Sequence, residues 1–194
     1  MNWLAHLRLS PSEPLLRLGN LCGDFVRGVD VVALRPELQR GIRQHRAVDA
    51  FVDAHPIVRC SRQRLDAPFR RLAGVLVDVF YDHYLARDWD RLGDGRPLPD
   101  FAASVHALLR EHAALLPPRL VSVLPWMEDQ GWLVGYAQID GIDAVLRRMA
   151  RRLSRPTPLG EGAAQLRAHY DALAGDFAAF WSELVTFAGA LDGG

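Results

Sequence analysis

Apolar residues recur along this chain at steps of three and four, the period of helices with one buried face, and no segment alternates over a useful strand length. The clearest helix spans residues 69–89. There Leu72, Val75, Leu76, Val79, Phe80 and Tyr84 form a stripe, and no proline or glycine follows Gly74. Pro36, suited to a first helical position, opens a helix over residues 36–54 with Leu38, Ile42, Val48, Phe51 and Val52 inside. Shorter helices are predicted at 15–21 and 57–65. Longer ones follow at 100–116, at 118–136 with a break near Pro125, and at 139–153. The last covers 163–191, where Leu166, Tyr170, Leu173, Phe177, Phe180, Leu184 and Phe187 make one continuous stripe. Residues 1–9 read as a short apolar anchor around His6. Residues 10–14 and 93–97 are turns, and 156–162 a linker. The expectation is all-α: a single-domain bundle of about seven or eight helices over residues 1–194.

Composition adds constraints. With 194 residues the chain is long enough to bury roughly 70% of its unfolded surface. The formal net charge is +0, which argues against nucleic-acid binding driven by bulk charge. Every Lys-or-Arg position is an arginine, the better residue for bidentate phosphate contacts. Cys22 and Cys60, in unrelated contexts, make neither a disulfide framework nor a zinc site. No apolar run approaches the roughly 18 to 20 residues of a membrane span, and residues 1–7 lack the basic start of a signal peptide. A cytoplasmic protein with reduced thiols, binding neither membrane nor nucleic acid, is expected.

Candidate chemistry lies in scattered histidines and aspartates. Asp78 and Asp82 are four apart and project from one side of the 69–89 helix, with His83 about 100° further round. They are costly to bury unless each finds a partner, either arginines of other helices or a divalent metal. His45 and Asp49 are also four apart, which suits metal ligation or a carboxylate-oriented histidine, and equally a surface helix pair. Asp24 lies between Gly23 and Gly28 with Arg27 three residues on. This is a loop ion pair, or a ligand beside a phosphate-binding arginine. Nucleophile-elbow, phosphate-loop and Cys-x-x-Cys motifs are absent. His6, Asp24, His45, Asp49, Asp78, Asp82 and His83 together offer oxygen and imidazole ligands without thiolate, which suits Mn, Fe or Mg. Such a centre activates water and neutralises a phosphoryl group, so the residues alone point to a metal-dependent hydrolase.

Several ordered segments carry a resemblance. They are Met1-Asn2-Trp3-Leu4-Ala5-His6-Leu7, Gly19-Asn20-Leu21 and Gly23-Asp24-Phe25-Val26-Arg27-Gly28. Gly41-Ile42, His45-Arg46 and Asp49 follow, then Asp78-Val79-Phe80-Tyr81-Asp82-His83-Tyr84-Leu85, Trp132-Leu133 with Tyr136, and His169-Tyr170-Asp171-Ala172-Leu173. In these the chain resembles the acyl carrier protein phosphodiesterases (holo-acyl-carrier-protein hydrolases), divergent relatives of the HD-domain phosphohydrolases. The resemblance implies hydrolysis of the phosphodiester joining 4′-phosphopantetheine to a serine of holo-acyl carrier protein, with Mn²⁺, or Mg²⁺ or Fe²⁺, as cofactor. The sequence holds no adjacent His-Asp doublet, and Asp82-His83 is the reverse order, so that superfamily's ligand set is not carried over. Asp24, Arg27, Asp82 and His83 are expected to be catalytic. The metal ligands are sought among Asp24, Asp82, His83, His6, His45, Asp49 and Asp78. The acidic carrier would dock on arginine faces: Arg59, Arg62 and Arg64, or Arg147, Arg148, Arg151 and Arg152. Two alternatives are an HD-like phosphohydrolase of a small nucleotide and a helical module that binds carrier protein without chemistry.

Overall fold

The computed structural model describes residues 1–192 and, among them, only helices, turns and loops. In chain order the α-helices are α1 (Trp3–Leu9), α2 (Pro14–Cys22), α3 (Pro36–Ala54), α4 (Pro56–Arg64), α5 (Ala73–Arg87) and α6 (Trp89–Leu92). They continue with α7 (Leu98–Glu111), α8 (Pro118–Val121), α9 (Leu124–Asp129), α10 (Trp132–Gly135), α11 (Ile139–Arg151), α12 (Ala163–Ala168) and α13 (Tyr170–Asp192). Eight of them have seven residues or more; seven of these, all but α1, fall on expected helices, while the expected 118–136 helix has no single counterpart. Prolines open several: Pro14, Pro36 and Pro56 each stand in a first turn, where a missing N–H costs nothing.

The structure departs from the sequence expectations in several places. The 69–89 helix begins as a 3-10 turn at Phe69–Leu72, continues as α5 and gives way to α6, and the 100–116 helix ends at Glu111 before a 3-10 turn at Ala113–Leu115. Residues 1–9 are not merely an anchor but the helix α1. Residues 118–136 break into α8, α9 and α10, with Gly131 at φ 55 in the left-handed region that glycine adopts freely. The 163–191 stripe is divided at His169 into α12 and α13.

α5 is the axis of the molecule. Its apolar residues go round the helix, so it is enclosed rather than laid on a surface, with α1, α4, α11 and α13 packed against it. Tyr81, Tyr84 and Phe80 are wholly buried, and the two tyrosine rings meet Phe177 of α13 at 5.3 and 5.8 Å. Beside this core α2 lies directly along α3. A Cβ at Gly41 would stand 2.1 Å from Leu16 O, and one at Gly19 2.3 Å from Leu38 O, so the two backbones approach as only glycine permits. That contact sets the start of the 3-10 turn Gly23–Phe25 against the middle of α3. It is there that His45 lies.

Candidate functional site

α1, the Gly23–Phe25 turn, α3 and α5 each deliver one or two ionisable groups to a common point. His6 Nε2 lies 3.1 Å from Asp49 Oδ1, and His45 Nε2 lies 3.2 Å from Asp49 Oδ2 and 3.5 Å from Asp24 Oδ1. The two imidazoles are stacked, centroids 3.9 Å apart. One potential ligand atom from each of His6, His45 and Asp49 lies within 4.8 Å of the others. Asp24 is fixed from its far side by Trp3 Nε1, which donates to its Oδ2 at 3.0 Å. The α-amino group of Met1 sits 3.3 Å from both Asp49 Oδ1 and Asp78 Oδ1. Gly23 makes room for the centre, since a Cβ there would stand 2.3 Å from the His45 ring.

The electrostatics follow from partial burial and close charges. Burial holds His6 down to about 4, leaving a neutral imidazole at physiological pH. Burial also disfavours a charged His45, but hydrogen bonds to Asp24 and Asp49 outweigh it and lift the ring to about 9. Asp49 is pushed up by burial, yet hydrogen bonds from His45 and His6 and the α-ammonium charge hold it far below the usual carboxylate range. Asp24 is likewise held down, burial being overcome by His45. Asp78 is raised by burial, partly offset by the α-ammonium. Two stacked imidazoles facing one carboxylate, with a second at the rim and no thiolate nearby, suit a divalent cation as a donor set. Each ring's Nδ1 is buried without a hydrogen-bond partner, so the His45 ring is oriented by the Gly23 backbone packing rather than by an outer acceptor.

A pocket of about 340 Å³ adjoins the centre; Asp24, Asp49 and Asp78 line it, whereas His6 and His45 are buried and do not. Val75, Val79, Val145 and Met149 make an apolar wall, Trp3, Trp132 and Tyr136 an aromatic one, and Arg148 and Arg152 close it. Trp3 stacks on Trp132 at 5.6 Å, and Asn2 Nδ2 donates to Tyr136 Oη at 2.9 Å.

The expected residues therefore divide. His6, Asp24, His45, Asp49 and Asp78 meet at this point, whereas Asp82, His83 and Arg27 do not. Asp82 is fully buried, and both of its oxygens accept backbone N–H groups of α1, from Leu4 at 2.7 Å and Ala5 at 3.1 Å. It caps α1 in place of Asn2, whose side chain makes no cap bond. Burial pushes its carboxyl up to about 7, against the pull of those two donors. His83 is likewise occupied, Nδ1 with Tyr136 O at 2.8 Å and Nε2 with Tyr170 Oη at 2.9 Å. With both nitrogens committed, neither faces the centre. Arg27 is exposed and outside the pocket lining. These three lie around the centre rather than in it.

The two arginine faces also differ. Arg62 pairs with Asp53 at 2.6 Å and Arg64 with Asp176 at 2.7 Å, so two charges of the Arg59 face are locally neutralised. On α11 and just beyond it, Arg147 pairs with Asp143 at 2.6 Å, while Arg148, Arg151 and Arg152 form no ion pair among the described residues. That face adjoins the pocket. Trp3, Tyr136 and the two lining arginines acquire their roles only through folding. The Asn2–Tyr136 contact bridges 134 positions, and its sole trace in the sequence is that both residues lie within the resemblance segments.

Comparison with known proteins gives a consistent picture. The family model described as acyl carrier protein phosphodiesterase matches residues 1–184. An acyl carrier protein phosphodiesterase of Yersinia enterocolitica is 36% identical over 186 residues, covering 96% of this chain and 96% of the relative. Those of Salmonella dublin and Escherichia coli K12 are 36% and 35% identical over 185 residues, each spanning 95% of this chain and 96% of its own. No solved structure gives a significant match. With the match running from α1 through most of α13, and so across every element that builds the centre, the chain belongs to the acyl carrier protein phosphodiesterase family.

Proposed function

We propose that this chain hydrolyses the phosphodiester between 4′-phosphopantetheine and the carrier serine of holo-acyl carrier protein, releasing apo carrier protein and 4′-phosphopantetheine. The observation that carries the reading is the His6–His45–Asp49 cluster, which meets a pocket through Asp49, in a chain of this family. These three residues, with Asp24 beside them, would hold a divalent cation, Mn²⁺ first and Mg²⁺ or Fe²⁺ as alternatives. Such an ion supplies activated water and neutralises charge on the phosphoryl oxygens. Asp24, which lines the pocket and is held by Trp3, would accept a hydrogen bond from the attacking water. Trp132 and Tyr136 wall the pocket and restrict bulk water. Oxygen from water bonds to phosphorus, the bond from phosphorus to serine Oγ breaks, and the serine oxygen takes up a proton. Asp82 and His83 serve by anchoring α1 and the Tyr136 segment on which the pocket depends. The reading treats residues 1–194 as one catalytic domain in the cytoplasm, where carrier protein works; no described helix is long and apolar enough to cross a membrane.

Incubated with holo carrier protein and Mn²⁺, the purified chain should convert the carrier to its apo mass with release of 4′-phosphopantetheine. EDTA should stop the reaction and added Mn²⁺ restore it. An unchanged carrier mass would reject the reading. Binding without turnover would favour the docking module, and turnover of nucleotides alone the nucleotide hydrolase.

Metal affinity should also depend on pH. Without a cation the His45 ring, lifted to about 9, carries a proton at neutral pH that the metal must displace. Apparent Mn²⁺ affinity is therefore expected to rise about tenfold per pH unit between pH 6.5 and 8.5. The metal-free protein should show the opposite trend. A folded pKa raised above 6.5 gives stabilisation that is complete below that value and lost as the pH climbs through about 9. Calorimetric titration and denaturant unfolding across this range check both slopes.

A further inference from the structure

Three depressions converge on one side chain. The acid-lined pocket, an outer groove of about 470 Å³ beside Trp126 and Trp132, and a third of about 380 Å³ beside Phe25 and Arg119 all have Arg152 in their walls. Arg148 and Trp132 are shared by the first two. Both guanidiniums lie over the Trp132 ring, Cζ of Arg148 at 4.6 Å and of Arg152 at 5.9 Å from its centroid. Arg148 also donates to Gln130 Oε1 at 3.2 Å. They are the only cationic side chains in the lining of the acid-lined pocket, and neither is neutralised by a carboxylate among the described residues.

The charge count in that pocket requires them. Asp24, Asp49 and Asp78 bring three carboxylates, and the Met1 α-ammonium and a divalent ion together do no more than balance them. A balanced site has no excess charge to attract an anionic phosphodiester. Two guanidiniums in the same lining, without a carboxylate partner, supply it, in a planar geometry that matches phosphate oxygens bidentately. The indole beneath them limits their rotamers before the substrate arrives.

We propose that Arg152 and Arg148 form an anion clamp that grips the non-bridging oxygens of the 4′-phosphopantetheine phosphate. This deepens the proposed function and rests on it. The clamp replaces Arg27, which the sequence offered for the role, and removes two of the four α11-side arginines from the carrier-docking set. Arg147 and Arg151, which face the outer groove and do not line the acid-lined pocket, remain for the carrier surface.

The test measures binding of free 4′-phosphopantetheine, of pantetheine without the phosphate, and of apo carrier protein to the Mn²⁺-loaded chain and its Arg152→Ala, Arg152→Lys and Arg148→Gln variants. Arg152→Ala and Arg148→Gln should weaken 4′-phosphopantetheine by at least about tenfold, the loss of one charge-assisted contact, with pantetheine and apo carrier unchanged. Arg152→Lys should recover only part, because a point charge does not restore the fork. Circular dichroism and Mn²⁺ content confirm that the variants are folded and loaded. Equal weakening of apo carrier protein with 4′-phosphopantetheine untouched would make both arginines a docking patch and overturn the clamp. So would parental binding in every variant. Hydrolysis of holo carrier protein by the parent is scored separately: its absence rejects the proposed function, and its presence with unaffected variants rejects only the clamp.

Discussion

Alanine in place of His45 should leave the protein folded, unable to retain Mn²⁺, and slower on holo carrier protein by more than about a hundredfold, the upper cost of losing a metal's outer partner. The ring is the hinge of the centre, since its Nε2 faces both Asp24 and Asp49. Without it those carboxylates repel each other across the vacated space, and His6 alone supplies nitrogen. The fold bears a cost, because His45 is buried and its pairs with Asp24 and Asp49 are lost, but the apolar stripe of α3, Leu38, Ile42, Val48 and Val52, is untouched. Gly23→Ala provides a graded companion. Its methyl would meet the imidazole at 2.3 Å and push it aside without removing it, so Mn²⁺ affinity should fall by less than in the alanine variant. Metal content by mass spectrometry, turnover and helix content are the three readouts. Retained Mn²⁺ and turnover in His45→Ala would reduce the cluster to a structural hydrogen-bond network.

What was legible in the sequence was what depends on near neighbours. The helices expected at 15–21, 36–54 and 57–65 match α2, α3 and α4 to within a residue, and Pro36 with the apolar stripe behind it marks α3. The His45–Asp49 pair was visible because a four-residue step on one helix stays one step after folding. α1 was not visible as a helix. At seven residues it is too short to display a period, and its cap comes from Asp82, 78 positions away. The same distance effect separated Asp78 from Asp82. Their spacing places both on one side of α5, but most of that helix is buried, so one turn decides whether a carboxylate meets the pocket or the end of α1. His83, a further 100° round, meets the Tyr136 carbonyl and the Tyr170 hydroxyl instead. The fates of the arginines were equally non-local. Arg62 and Arg64 look like Arg148 and Arg152 along the chain, and only the acids opposite them tell a neutralised face from a charged one.

Removal of the Asp82 carboxylate should therefore act on stability first and on the metal second. In Asp82→Ala the amides of Leu4 and Ala5 lose their acceptor in a region closed to water, at about 1–3 kcal/mol for each orphaned donor. A cavity opens beside fully buried Leu4 and Ala5 as well. The sum is a loss of about 3 kcal/mol or more, a large part of the stability of an ordinary domain. Because α1 carries both His6 and Trp3, its detachment would loosen one proposed nitrogen ligand and the prop of Asp24 together. Mn²⁺ affinity and turnover should then fall in proportion to the population of detached α1 and recover as temperature is lowered. Asp82→Asn keeps one acceptor but turns an amide toward the second N–H, so it should lie between parent and alanine. Its pH profile is a second readout. Burial raises the Asp82 carboxyl to about 7 from an unfolded value of 3.8, so the parent loses stability as the pH rises between those values, and the asparagine variant loses that slope. The destabilisation caused by Asp82→Asn should accordingly be greater at pH 4 than at pH 8, measured by urea unfolding. A fully stable Asp82→Ala protein that nevertheless cannot bind Mn²⁺ would return this carboxylate to the ligand set and reject its role as the cap of α1.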